Sequence, residues 1–484
     1  MGKSESVGTS TQLLNNGSLA VMQSLSKLFK NSLIWIVTDL PELFKQAMER
    51  RLGPEAPAFF HSLQEKPPVS IRYNLLKNSP ASATPVPWCG SGRYLESRPS
   101  FTLDPTFHAG GYYVQEASSM LLEQAVLQSV PFHSPVVALD LCAAPGGKST
   151  HLLNLLSRES LLISNEVIQS RAAILGENLE KWGSDNVIIT QNDPADFTRL
   201  PEYMDLVLID APCSGEGLFR KDPEAAKEWS PRAAEHCCLR QRRIVADAWT
   251  ALKPGGVLIY STCTYNEDEN LGNLHWINQE YHPEFIPIQL DSSWGVLTLD
   301  APGILGYQCY PHRVRGEGFF FSAMRKPGVP SGKRIRVRDT LTVPRSGEMQ
   351  QVKNWVDEPE KMFFFLKGQQ VRILPSDHRT NLAAVLENLR IVQAGTALGD
   401  VMKNKIVPNS ALALSIRRNK ETLEGIALTL DESLAYLRKD SIPLNHEAGF
   451  HVVEYKGLGL GWVNILPGRV NNLYPSSWRI RMNK

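Results

Sequence analysis

At roughly 150 residues per domain, a chain of 484 residues has room for about three domains and a core of several packed layers, which excludes the small disulfide-stapled folds. With 42% hydrophobic and 21% charged residues, wholesale disorder, collagen and coiled coil are excluded as well. The net charge of +1 hides a division: residues 1–325 carry 27 Lys and Arg against 35 Asp and Glu, net −8, whereas residues 326–484 carry 24 against 15, net +9. Such asymmetry points to a polyanion-binding C-terminal part. Seven cysteines without a CxxC pair fit reduced thiols in a cytoplasmic chain better than a disulfide framework or a zinc ribbon, and no metal site is expected.

Residues 1–34 open with a segment rich in Ser, Gly and Asn that reads as a mobile leader; it has no basic start followed by a long apolar run, so no secretion signal or membrane span is expected. Residues 35–130 mix helical PELFKQAMERRL with the strand-like VSIRYNLL and predict a small α+β domain. Residues 131–325 alternate β-rich runs (VVALDL, LLISN, VIIT, DLVLID, GVLIYS, GFFFSAM) with helical segments, the pattern of a doubly wound parallel α/β sheet of Rossmann-like type. Residues 326–430 begin with KPGVPSGKRIRVRDTLTVPR, a basic stretch that marks a natural boundary, and continue into an intermediate domain. Residues 431–484 end in short aromatic and β-branched runs between turn residues, which predicts a compact β-module.

The first strand of the α/β region runs into the turn Cys142, Ala143, Ala144, Pro145, Gly146, Gly147, Lys148. In open α/β sheets ligands sit at the C-terminal ends of strands, where glycines let the backbone approach. A P-loop fails because Cys142 stands where its first Gly is required, and the dinucleotide pattern GxGxxG is absent. Three acids follow three successive strands: Glu166, Asp193 and Asp210. Together they suit a nucleoside without phosphates, since a phosphate site would supply positive groups. S-adenosylmethionine is such a ligand, with ribose and adenine for hydrogen bonding and a cationic sulfonium.

Cys213 lies three residues beyond Asp210 in DAPCSGEG, and Cys263 lies just past the next strand in YSTCTYNEDEN. Both occupy polar turns at strand ends, where a thiol can meet a ligand and its pKa can fall. Cys237 and Cys238, in HCCLRQRR, read as small buried hydrophobes. The motifs DLCAAPGGKSTHL, DAPCSGEGLFRKDP, STCTYNEDEN and YPHRVRGEGFFFSAMRK, in this order, resemble the RNA cytosine-C5 methyltransferases of the Nol/Nop/Sun family. VSIRYNLLK and DPTFHAGGYYVQEASSM resemble that family's substrate-side region, and GLGLGWVNILPGRVNNLYPSSWRIR resembles the PUA-like module of its bacterial 16S ribosomal RNA methyltransferase F subfamily.

The resemblance implies an S-adenosylmethionine-dependent enzyme acting on RNA, 16S ribosomal RNA above all, as a monomer without metal or membrane. Cys263 matches the family nucleophile that adds to cytosine C6, Cys213 the residue that helps release the product, and Asp210 the acid that faces the N3/N4 edge of the base. Cys142 to Lys148, Glu166, Asp193 and Asp210 match the cofactor-bordering positions, and Lys148 also faces the target base. A base in a duplex cannot present C6 to a thiolate, so flanking RNA needs handles; Arg72, His312, Arg313, Arg315, the basic linker, Trp462, Tyr474 and Trp478 are the candidates. Transfer RNA is the alternative substrate. An amino-group methyltransferase would need an Asp/Asn-Pro-Pro-Tyr-like pocket in place of DAPCS. A silent ribosome-assembly factor would not require Cys213, Cys263 and Asp210. HEAGFH spaces His446 and His451 five apart, off the HExxH spacing of a metalloprotease.

Overall fold

The computed structural model describes residues 40–77, 83–131, 134–332, 337–403 and 405–482, so the leader proposed for residues 1–34 lies outside the described residues. Near the N-terminus, helices Glu42–Leu52 and Ala56–Ser62 precede four short strands, β1 (Val69–Tyr73), β2 (Pro85–Val86), β3 (Cys89–Leu95) and β4 (Tyr112–Val114), which form one sheet in the order β2-β3-β1-β4.

The central sheet follows from β5 (Val137–Asp140), β6 (Leu161–Asn165), β7 (Val187–Thr190), β8 (Met204–Asp210), β9 (Leu252–Thr262), β10 (Glu284–Phe285), β11 (Leu297–Ala301), β12 (Ile304–Cys309) and β13 (Phe319–Arg325). VALD, LLISN and VIIT are apolar runs whose side chains are buried on both faces, as a parallel sheet covered by helices demands. Strands β9, β8, β5, β6 and β7 lie side by side and parallel in that order. The chain winds outward from β5 through β6 to β7, then returns to β8 and β9, so the topological switch falls between β5 and β8. That is where a ligand crevice opens.

The expectation of a parallel sheet holds for these five strands and fails for GFFFSAM. β13 runs antiparallel to both β9 and β12, because the short connection from β12 lacks the crossover helix that a parallel return requires. Helix Gln169–Trp182 ends at Gly183, whose φ of 84° closes the helix in the left-handed conformation. Helix Pro231–Ala251 starts with Pro at its first position and Ser230 accepting from Ala233 N at 3.2 Å.

The C-terminal region contains β14 (Met362–Lys367), β15 (Gln370–Pro375), β16 (Ile391–Ala394), β17 (Thr396–Met402), β18 (Lys405–Pro408), β19 (Gly425–Ala427), β20 (Gly449–Tyr455), β21 (Leu458–Leu466) and β22 (Arg469–Asn472). Strands β14-β15-β17-β18 form one antiparallel sheet; β19-β20-β21-β22 form another, mixed because β19 pairs parallel with β20, and it begins ahead of the expected module start at Asp431. β16 departs from its neighbours and pairs antiparallel with β7, completing the edge of the central sheet. Phe365, Leu374, Leu382, Val385 and Ala394 share one apolar core with Leu139, Ile163 and Ile188 of the catalytic strands. The boundary at the basic linker therefore divides the charge of the chain and leaves its hydrophobic core continuous.

Burying each large apolar side chain contributes about 1.5–3 kcal/mol, so removal of residues 326–484 uncovers several such contributions at once. The truncated chain is expected to unfold about 10 °C or more below the full chain in a thermal melt. An unchanged melting temperature would contradict the shared core.

Candidate active site

Asp140 ends β5, and the loop that follows turns at Gly146, whose φ of 116° is a conformation that side chains resist. Its shape is held from outside. Arg171 Nη2 donates to Ala144 O at 2.9 Å, Asn178 Nδ2 to Pro145 O at 2.8 Å, and Ala143 N to Asn165 O at 2.8 Å. Helix Gly147–Leu155 then points its N-terminus back at the crevice.

Lys148, on the first turn of that helix, places Nζ 2.7 Å from Asp210 Oδ2 and 5.3 Å from the centroid of the Phe319 ring. Burial works against the Lys148 charge, but Asp210, with Cys263 and Asp140 behind it, outweighs burial and lifts its pKa above the ordinary lysine range. The other Asp210 oxygen accepts from Ser261 Oγ at 3.0 Å, at the end of β9. Each carboxylate oxygen has two acceptor sites, so Asp210 keeps capacity for a further donor.

Asp140 was not singled out from sequence. It is fully buried, Oδ2 accepts from Ser149 Oγ at 2.7 Å, and Oδ1 has no partner. Burial, reinforced by Asp210 and Glu166, pushes its carboxyl up to about 7 despite the Ser149 bond. Its signal was legible in principle: an Asp closes VVALD as Asp210 closes DLVLID. Glu166 follows β6, with its side chain 3% exposed, Oε1 accepting from Ile168 N at 3.1 Å and Arg171 Nη1 at 3.5 Å from Oε2. Asp193 follows β7, one strand beyond Glu166, and its own bonds run to its turn and to Arg243. It caps the turn Pro194–Arg199 through Ala195 N at 3.1 Å and meets Arg243 Nη2 at 3.4 Å on the surface.

The two cysteine turns converge. Cys213 Sγ lies 3.2 Å from Cys263 Sγ, and Ser214 Oγ 2.8 Å from Thr264 Oγ1. Glu269 Oε2 accepts from Ser214 N at 3.0 Å and from Gln241 Nε2 at 2.7 Å, while the same Gln241 amine donates to Pro212 O at 2.9 Å. Gly217 N donates to Cys263 O at 2.8 Å across a gap in which a Cβ at position 217 would sit 2.4 Å from that oxygen. The expected fall in thiol pKa is overturned for Cys213: its hydrogen bond to Cys263, with burial added, holds it well above the ordinary thiol range. Cys213 thus keeps its proton, with the two sulfurs within hydrogen-bond reach of each other. Burial also raises the Cys142 thiol, which suits a lining group better than a nucleophile. Cys238 is buried as expected and donates to Asn273 Oδ1 at 3.2 Å, whereas Cys237 is only half-buried.

Several residues expected to handle RNA are structural. Arg72 is fully buried, donating to Gln115 Oε1 at 2.8 Å and Thr150 Oγ1 at 2.6 Å with its guanidinium 4.8 Å from the Trp182 ring, so it locks the motif helix to β1. Trp462 and Tyr474 are 3% and 1% exposed: Trp462 packs into the core of the β14-β15-β17-β18 sheet, and Tyr474 into that of the last sheet. The His312 side chain is mostly buried, with Nε2 3.0 Å from Glu55 Oε2, and Arg313 pairs with the same carboxylate. Arg315 is exposed, over the Tyr94 ring at 4.2 Å, and Trp478 carries the Lys181 ammonium 4.9 Å from its centroid.

Behind the motif helix, Cys89, Glu123 and His151 bring metal-ligating atoms within 4.8 Å of one another. Hydrogen bonds account for the convergence: Cys89 Sγ donates to Glu123 Oε2 at 3.0 Å, His151 Nε2 faces the same oxygen at 3.1 Å, and Gly90 N donates to Oε1 at 2.8 Å. Burial pushes the Cys89 thiol up to about 12, so it offers no thiolate, and three groups fall one short of a structural tetrahedral site.

A Rossmann-like sheet with this strand-end site defines the methyltransferase class, and comparison with known proteins narrows it. Residues 131–325 match the family described as 16S rRNA methyltransferase RsmB/F. Residues 40–117, 349–416 and 424–480 match the N-terminal domain, the first C-terminal domain and the PUA domain of RsmF. The ribosomal RNA small subunit methyltransferase F of Enterobacter sp. (strain 638) is 32% identical over 86% of this chain and 91% of its own length. That of Escherichia coli O6:H1 is 30% identical over 84% and 89%. A methyltransferase homologue from Pyrococcus horikoshii superposes with a TM-score of 0.51 at 26% identity, covering 60% of this chain and 96% of its own. The chain belongs to the RsmB/F family of 16S rRNA methyltransferases, with the domain set of RsmF. No helix among the described residues is long and apolar enough to cross a membrane.

Two predictions follow from the buried charges. Arg72→Met should cost about 2–4 kcal/mol in urea unfolding, because it strands buried acceptors, and should leave the salt dependence of RNA binding unchanged; the reverse pattern would restore Arg72 as an RNA contact. Asp140 is bound to its proton more tightly in the folded than in the unfolded state. Its contribution is therefore complete below about pH 4 and lost as the pH rises to about 7. Asp140→Asn should flatten this decline in melts between pH 5 and 8, and an unaltered slope would contradict the burial of its charge.

Proposed function

We propose that the chain is a cytoplasmic enzyme that uses S-adenosylmethionine to methylate C5 of a cytosine in RNA, with 16S ribosomal RNA as substrate, through a covalent bond between Cys263 and C6. The observation that carries this reading is the Cys213–Cys263 pair, 3.2 Å apart, beside the Lys148–Asp210 ion pair at the switch point. The crevice fits the cofactor's chemistry: Cys142, Ala143, Ala144, Pro145, Gly146 and Gly147 offer a loop of small side chains. Glu166 and Asp193 are carboxylates for ribose and adenine, and Asp210 and the partnerless oxygen of Asp140 favour a nearby cation. When bound, S-adenosylmethionine supplies an electrophilic methyl group to this site.

The remaining chemistry belongs to the chain. Cytosine C5 is a poor nucleophile until a thiolate adds at C6 and makes it enamine-like. Cys263 supplies that sulfur; Lys148 lies within its electrostatic reach, and the Cys213 thiol is 3.2 Å from it. Asp210, with acceptor capacity left over, takes a hydrogen bond from the N3/N4 edge as the ring becomes protonated in the adduct, and Lys148 holds the Asp210 carboxylate in place for this role. After methyl transfer a base in the crevice takes the C5 proton, the C5–H electron pair restores the C5–C6 double bond, and the C6–S bond breaks with its electron pair returning to Cys263. Cys213 holds its own proton tightly, so in release it acts as a thiol that positions the base for the C5 proton. The target cytosine must be unpaired or flipped out. Exposed Arg315, with the basic C-terminal region, supplies contacts to flanking phosphates.

Cys263→Ala should reduce methyl transfer below detection while RNA affinity stays within about twofold, and full turnover by this variant would refute the nucleophile. Cys213→Ala should accumulate an RNA–protein adduct that survives denaturing electrophoresis. Its absence would move the release role to another residue.

A further inference from the structure

We infer that Asn192, gripped by the backbone of Arg390, is a positioning residue for the cofactor wall, so that the C-terminal region completes a site the catalytic sheet leaves open. The inference rests on the cofactor reading above. Neither residue carries a charge or thiol toward the reaction, and neither belongs to the motifs read from the sequence.

Three residues that each precede a wall residue are joined by side-chain amides. Asn165, next to Glu166, donates from Nδ2 to Leu141 O at 3.2 Å and to Asn192 O at 3.0 Å; its Oδ1 accepts from Asn192 N at 3.0 Å and Thr190 Oγ1 at 2.9 Å. Leu141 precedes Cys142, and Asn192 precedes Asp193. The Asn192 side chain then reaches out of the catalytic region: Nδ2 donates to Arg390 O at 3.1 Å, and Oδ1 accepts from Arg390 N at 2.9 Å. Gln191 N donates to the same Arg390 oxygen at 3.0 Å, and Arg199 Nη1 donates to Asn388 O at 3.2 Å. Asn165 and Asn192 are 1% and 8% exposed, so water does not replace these bonds readily.

Arg390 leads directly into β16, which is laddered to β7 from Ile391 opposite Thr190 to Ala394 opposite Ile188. Without β16, β7 would be a bare edge and the turn that carries Asp193 would hang from one strand end. With it, the turn is clamped from both sides, and the clamp runs through Asn192 and Asn165 to the loop at Leu141. A ligand that bonds to Glu166 and Asp193 together needs both carboxylates held to within about 0.5 Å. Because coupling between sites is reciprocal, such a ligand must also steady the Arg390 segment.

The test uses the full chain with S-adenosylhomocysteine as probe. Asn192→Ala should weaken binding in titration calorimetry by about tenfold, equivalent to about 1.4 kcal/mol. In turnover it should raise the cofactor KM with kcat at saturation retained and RNA affinity unchanged. In the wild-type protein, amide exchange at residues 389–394 should slow when the probe binds, a readout that survives even if the variant folds poorly. Wild-type binding without that protection, together with unchanged affinity in Asn192→Ala, would overturn the inference alone. Absence of any wild-type binding would instead overturn the cofactor reading on which it stands.

Discussion

The ion pair between Lys148 and Asp210 joins the helix after β5 to the end of β8, and with Ser261 it ties in the end of β9 as well. The crevice between those strands concentrates carboxyl groups: Asp140 is already pushed up to about 7 by burial, with Asp210 and Glu166 adding to the pressure. Lys148 pairs with Asp210 and brings positive charge to the Cys263 side of the crevice. One salt bridge thereby sets compensating charges side by side within this small space, where the low local dielectric makes uncompensated charge costly.

The sulfur pair depends on a second, neutral scaffold. Gln241 and Tyr260, with Glu269, whose carboxyl burial pushes up to about 7, form a buried polar network under the turn Pro212–Ser214, and Asn270 fastens the partner turn by donating to Thr264 O at 3.0 Å. Each turn is anchored to elements beyond its own strand end, so the two thiols meet without a covalent link. Buried networks of this kind are costly when half satisfied, and that cost is what makes the arrangement specific.

The motif loops were legible because their chemistry is local. Strand, glycine turn and acid or cysteine lie within a few residues of each other, so the crevice with Lys148, Glu166, Asp210, Cys213 and Cys263 could be assembled from spacing and family resemblance. What escaped was non-local. Arg72 looks like an RNA contact until Trp182 and Thr150, far along the chain, enclose it. Trp462 and Tyr474 could have been surface stacking platforms, but the two small C-terminal sheets needed them as core. β16 is four residues long and lacks any motif, and its place beside β7 is set by a pairing across some two hundred residues. Asp193 drew notice for its charge, while the neighbouring amide of Asn192 makes the contacts that hold the turn.

The division of charge also takes on a clearer meaning. The basic C-terminal region and the acidic catalytic region are electrostatically distinct but share β16, an apolar core and the Arg390 clamp. The central claim is the position of methyl transfer. Incubation of the full chain with 16S ribosomal RNA and S-adenosylmethionine bearing an isotopically labelled methyl group, followed by digestion to nucleosides and mass spectrometry, tests it directly. Label in 5-methylcytidine is the predicted result; label in N4-methylcytidine or in any other nucleoside would contradict it.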